Sequence, residues 1–134
     1  MIFTFQKKIY GYECDIYGHM NNANYLMLLE AARSEALVTM EMPIGKLQEM
    51  GVQFFVLRCE LDYIKAAELE EIVTVKSWFY KTSRLKGFWQ QEVYNQNGEL
   101  CLRAMLTLVY AADGKAKRLS QELTDHFDQF LERQ

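Results

Sequence analysis

The chain has little of what builds disulfide scaffolds, metal knuckles, linkers or membrane spans. Three cysteines in 134 residues, Cys14, Cys59 and Cys101, are an odd number without C-x-x-C spacing. That excludes a disulfide framework and a zinc site of the usual pattern, and it fits a reducing compartment. Proline occurs once, at Pro43, and no repeat, low-complexity tract or linker interrupts the chain, so residues 1–134 read as one domain. No apolar run approaches the ~20 residues of a membrane helix, and the start, MIFTFQKKIYGYE, lacks a signal-peptide core. A cytoplasmic protein is expected. Lysine and arginine form no long block and the net charge is −3, so nucleic acid is not an expected partner.

What is present is a core. Half the residues are apolar and 13% are aromatic, enough for an ordinary globular domain. Residues 2–10 alternate weakly and predict a first strand. A long helix is expected from about Asn22 to Glu41, ended by Pro43, with one more helical turn from Ile44 to Met50. Its polar residues Glu30, Arg33, Ser34 and Glu41 fall within about a third of its circumference at 100° per residue, Glu35 and Thr39 being the exceptions on an otherwise mostly apolar surface, which predicts a helix buried around most of its girth. Four long strands follow. In residues 52–63, Phe55, Leu57, Cys59, Leu61 and Tyr63 alternate with partly polar neighbours; then come 72–81, 85–95 and 100–110. Asn97-Gly98 and Asp113-Gly114 are turn signals. Ser120 is the expected N-cap of a last helix carrying Leu123, Phe127, Phe130 and Leu131. One buried helix clasped by a curved antiparallel sheet is an α+β architecture. Its sheet edges, with Trp78, Phe88 and Tyr94 on partly polar strand faces, lead us to expect an oligomer.

The densest chemistry is YECDIYGHMNNANYLMLLEAAR, residues 12–33. It crowds Asp15, His19 and three asparagines against the start of the long helix. The first turn of a helix leaves N–H groups without intrahelical partners, and these attract negative charge. A carboxylate beside such an oxyanion site is a set of parts for acyl transfer.

The run Asp15-Ile16-Tyr17-Gly18-His19-Met20-Asn21-Asn22-Ala23-Asn24-Tyr25 resembles the D-x-x-G-H-x-N-N-x-x-Y motif of the hotdog-fold acyl-CoA thioesterases, in the 4-hydroxybenzoyl-CoA thioesterase-like group. Helix and strand order match over essentially the whole chain. The resemblance implies a hotdog fold and hydrolysis of an acyl thioester to a free acid and a thiol. It implies a dimer, often paired into a homotetramer, with active sites at the dimer interface. It makes Asp15 the nucleophile or general base, places His19 and Asn22 beside it to orient water or substrate, and makes the amide of Tyr25 an oxyanion donor. Tyr17 departs from the asparagine that plant acyl-carrier-protein thioesterases carry there, and receives no role. Ala66 stands where the family often has proline.

No metal and no cofactor is expected, coenzyme A being part of the substrate. The partner is an acyl-CoA or acyl-carrier-protein thioester. The carrier's phosphates call for basic side chains, and Lys81, Ser83 and Arg84 are the candidates, followed by Lys115 to Arg118. Glu30 is a candidate to orient water, with a pair to Arg33 or a nearby lysine as its commoner fate. Cys14 lacks the surroundings of a nucleophilic cysteine. An enoyl-CoA hydratase of the same fold and a non-catalytic acyl-binding protein are the alternative readings.

Overall fold

The computed structural model describes residues 1–133. Strand β1 (Phe3–Lys8) leads through a single 3-10 turn (Gly11–Glu13) and the polar loop to helix α1 (Asn22–Thr39) and helix α2 (Ile44–Glu49). Strands β2 (Gln53–Tyr63), β3 (Ile72–Thr82), β4 (Lys86–Tyr94) and β5 (Leu100–Ala112) follow, then the short β6 (Lys115–Ala116) and helix α3 (Gln121–Asp128). All pairings are antiparallel, in the order β1-β3-β4-β5-β2, with β6 folded back on β5. This is the expected α+β hotdog arrangement of one long helix wrapped by one curved sheet.

Period-two alternation gives the sheet an apolar concave face. Val73, Val75, Val93, Leu102 and Ala104 are fully buried there, against an α1 stripe of Tyr25, Leu28, Leu29, Ala32, Ala36 and Leu37. Buried Gln91 joins the layers: its Nε2 donates to Leu29 O at 3.0 Å and to Ser77 Oγ at 2.8 Å, and its Oε1 accepts from Arg33 at 2.8 Å. A Cβ at Gly87 would lie 2.7 Å from the Tyr110 hydroxyl, so a larger residue there would have to displace that buried ring.

Four expectations are corrected. Helix α1 is not buried around its girth: Leu26, Met27 and Val38 are 47%, 65% and 52% exposed within one chain. In β2 the alternation breaks at a bulge between Val56 and Arg58. Phe54, Cys59 and Leu61 therefore pack against the core, while Phe55 and Leu57 stay exposed; one extra residue flips the faces. Asn97-Gly98 is not a two-residue turn, because the connection starts at Asn95 and closes with Gly98 N–H on Asn95 O, 3.0 Å. Helix α3 ends at Asp128, so Phe130 and Leu131 lie beyond it; they still pack on the core. Asp113 and Gly114, both at positive φ, form the expected tight turn into β6.

Candidate active site

The Asp15 loop is a short β-hairpin closed by an antiparallel bridge between Cys14 and Met20. Asp15 N–H donates to His19 O at 2.8 Å, and Gly18 N–H donates to Asp15 O at 3.1 Å. Gly18 has φ +75°, which only glycine adopts without strain. Asp15 Oδ1 accepts from the N–H groups of Tyr17 (2.9 Å) and His19 (3.2 Å). The aspartate and the glycine are thus first of all turn residues. Among the described residues every hydrogen bond to this carboxylate falls on Oδ1, so Oδ2 is uncommitted and the side chain is exposed.

The loop is seated beside the segment entering β3. Met20 N–H donates to Ala67 O at 2.8 Å and Leu69 N–H to Gly18 O at 2.9 Å. His19 is half-buried. Of the three asparagines, two build structure. Asn21 is the N-cap of α1 and accepts from Ala23 N–H at 2.9 Å. Asn24 Nδ2 donates to Glu13 O at 3.3 Å. Asn22 is exposed, and its side chain makes no hydrogen bond among the described residues; its carbonyl accepts from the Tyr63 hydroxyl at 3.5 Å.

The Tyr25 side chain is an anchor. Its hydroxyl is buried and accepts from Ala67 N–H at 3.1 Å, its ring meets Tyr63 edge-on at 5.8 Å, and burial raises the phenol's pKa. Its amide, in the first turn of α1, is the group to which the motif resemblance gives a role. Asn24 N–H takes the Asn21 carbonyl at 3.0 Å, tightening the first turn. The Asn21 N–H to Glu13 O bond at the hairpin base, 2.8 Å, sets the loop that carries Asp15 and His19 against the N-terminal end of α1, where Asn22 and the Tyr25 amide stand.

The basic candidates lie elsewhere. Eleven residues of β3 at about 3.3 Å each put ~33 Å between the Asp15 end of the sheet and the Lys81 turn. Ser83 Oγ is spent within that turn, accepting from Leu85 N–H (3.2 Å) and Lys86 N–H (3.1 Å). Arg84 Nε donates to Leu119 O at 2.9 Å, and Leu119 N–H returns a bond to Arg84 O at 2.8 Å. Lys81 lies over the Phe88 ring, 5.4 Å from its centroid. The clasp to Leu119 gathers the Lys81 turn and the 115–118 segment into one basic end of the sheet, which the sequence alone did not reveal.

Glu30 and Arg33 do not pair: Arg33 reaches Gln91 instead, and no Glu30 ion pair exists among the described residues. Burial lowers the Arg33 pKa, opposed by the charge of Glu30. Both line a groove of about 530 Å³ between α1 and the β2 edge, with Val38, Phe54, Val56 and Leu108. Burial and the neighbouring Asp15 and Glu13 raise the Cys14 thiol's pKa, against a nucleophilic role. Among the described residues no three His, Cys, Asp or Glu side chains converge as metal ligands, and no helix is long and apolar enough to cross a membrane.

The family model of the thioesterase superfamily matches residues 17–102, a span that opens two residues after Asp15. The chain is 28% identical over 129 residues to the long-chain acyl-CoA thioesterase FadM of Escherichia coli, covering 94% of this chain and 97% of that one. The crystal structure of YbaW, a probable thioesterase from Escherichia coli, superposes with a TM-score of 0.80 at 27% identity, over 97% of this chain and 99% of that one. A DHNA-CoA thioesterase from Staphylococcus aureus gives a TM-score of 0.87 at 21% identity, over 96% and 89% of the two chains, and so shares the fold.

Proposed function

From the premise that the chain belongs to the thioesterase superfamily, and is thus a thioester hydrolase of the hotdog fold, we propose that it hydrolyses acyl-CoA with Asp15 as the group that drives attack. The observation that carries this reading is the uncommitted Oδ2 of an exposed Asp15 beside the first turn of α1. As a general base, Asp15 takes a proton from water while the water oxygen attacks the thioester carbonyl. As a nucleophile, its oxygen attacks the carbonyl itself and water then opens the mixed anhydride. In both routes negative charge grows on the carbonyl oxygen, and the Tyr25 amide at the helix start receives it. The C–S bond breaks, and the leaving thiolate takes a proton, from Asp15 in the first route and from solvent water in the second. Asn22 and His19 orient water and substrate.

The active unit in this reading is at least a dimer, and the homotetramer is its further pairing. β2 is an edge strand of 11 residues, and exposed Phe55, Val56 and Leu57 on it continue into Leu26, Met27 and Val38 of α1. A second copy pairing antiparallel along β2 covers both surfaces. A two-fold axis through that edge sets the basic end of one copy beside the Asp15 end of the other. Lys81 and Arg84, with Lys115 to Arg118 nearer the shared edge, then meet the carrier's phosphates from the second copy. Ser83 serves this site by shaping the turn. The carrier is coenzyme A or an acyl carrier protein, and the compartment is the cytoplasm.

The test is thiol release over a panel of aliphatic and aromatic acyl-CoAs, with mass analysis of products. Free acid and CoA are expected. Water addition to an enoyl-CoA without thiol release, or saturable binding without turnover, overturns the proposal.

A further inference from the structure

Glu13 is the one buried charged residue among the described residues, only 5% exposed. It stands two residues before Asp15, outside the site just described. Its carboxylate pairs with Lys7 of β1, and its Oε1 accepts from Tyr10 N–H at 3.0 Å. Lys7 is held in turn by Lys8 O at 2.9 Å and by the rings of Tyr10 and Tyr12, with centroids 4.9 and 5.9 Å away; those rings stack on each other at 6.0 Å. The main chain of Glu13 points the other way: its carbonyl accepts from Asn21 N–H at 2.8 Å and from Asn24 Nδ2 at 3.3 Å. Asn21 caps α1 and Asn24 sits in its first turn. The next residue, Cys14, forms the bridge that closes the Asp15 hairpin.

A buried carboxylate is costly unless paired and hydrogen-bonded. This one is both, at the junction of β1, the hairpin base and the start of α1. We propose that Glu13, charge-paired with Lys7, is a positioning residue: it fixes the Asp15 hairpin relative to the α1 N-terminus, and hence the carboxylate relative to the oxyanion amide. The proposal rests on the thioesterase reading for its effect on rate, not for its effect on the hairpin. Glu13 touches neither substrate nor reacting atoms. Its action is geometric, and a displacement of about 1 Å between reacting groups costs up to ~100-fold in rate.

The experiment compares wild type, Glu13→Gln and Lys7→Met on the best acyl-CoA of the panel, with amide hydrogen exchange followed by NMR. Glu13→Gln keeps an acceptor for Tyr10 N–H but discards the charge that holds Lys7. The expected result is kcat lower by roughly tenfold or more with KM within about twofold, because ground-state binding is untouched. The Tyr17 and His19 amides, both bonded to Asp15 Oδ1, exchange faster by about tenfold, while amides in the middle of β4 keep their wild-type rates. Lys7→Met gives the same pattern, and the double variant is no worse than the single ones, as a coupled pair requires. If Glu13→Gln does not fold, Lys7→Met is read by the same criteria. Unchanged kcat, unchanged Tyr17 and His19 exchange, an equal acceleration in β4, or additive losses overturn the proposal. Should wild type hydrolyse none of the panel, the thioesterase reading falls, and local exchange alone decides whether Glu13 positions the hairpin.

Discussion

Asp15-Ile16-Tyr17-Gly18-His19 and Asn95-Gln96-Asn97-Gly98-Glu99 are the same turn built twice. In each, the first N–H donates to the fifth carbonyl, at 2.8 and 3.0 Å, and the glycine N–H donates to the first carbonyl, at 3.1 and 3.0 Å. In each, the first side chain's Oδ1 accepts from the third and fifth N–H groups. The glycines have φ +75° and +77°. The difference lies in what remains. Asn95 is buried, and its Nδ2 is spent on Glu99 Oε1 at 3.1 Å, whereas Asp15 is exposed with Oδ2 uncommitted among the described residues. Turn chemistry accounts for an Asp-x-x-Gly spacing without any function. The unspent oxygen beside a helix start is what the second turn lacks.

Asp15→Asn erases the difference, making the first turn a copy of the second. Oδ1 still accepts its two N–H groups, so the melting temperature should hold, while kcat falls by about a hundredfold or more because neither base nor nucleophile remains. Near-wild-type turnover in the folded variant would show that the free oxygen is not the reactive group. The second difference is the surroundings, since only the Asp15 turn is proposed to face a second copy. Val56→Lys on the exposed β2 edge should yield a monomer by sedimentation and lower kcat/KM by roughly tenfold or more, lysine being a natural blocker of edge pairing; an active monomer refutes the shared site. Third, His19 occupies the position of Glu99. His19→Ala should slow turnover by about tenfold, less than Asp15→Asn, because imidazole assistance is an addition to the carboxylate's work. Equal losses in a side-by-side assay reverse that ranking. The smallest effect belongs to the basic end: Arg84→Ala should raise KM about threefold with kcat unchanged, since phosphate contacts bind ground and transition states alike. A fall in kcat on a truncated thioester lacking the nucleotide would make Arg84 structural.

Much of this fold was legible in local pattern. The helix start at Asn22, the stop before Pro43, the Ser120 cap and the strand runs follow from capping, proline geometry and period-two alternation. Misreadings fell where a distant partner or a single extra residue decides. The β2 bulge reverses the faces of Phe55 and Leu57. Arg33 passes over Glu30, a helix neighbour three residues away, for Gln91 on β4, fifty-eight residues on. Glu13 carries no signal in sequence, being one of 18 acidic residues whose burial depends on Lys7 and Tyr10.

The kinds of element, their order and the motif at the head of α1 are written locally, because hydrophobic period, caps and turn residues act within a few positions along the chain. Which polar groups in that motif stay free depends on the folded arrangement. Among the described residues, Asn21, Asn24 and the Tyr25 hydroxyl are spent on Ala23, Glu13 and Ala67, while the Asn22 side chain and one oxygen of Asp15 are not. A hydrogen-bonding group is available for chemistry only if nothing in the fold has claimed it, and those claims come from residues that the sequence places far apart.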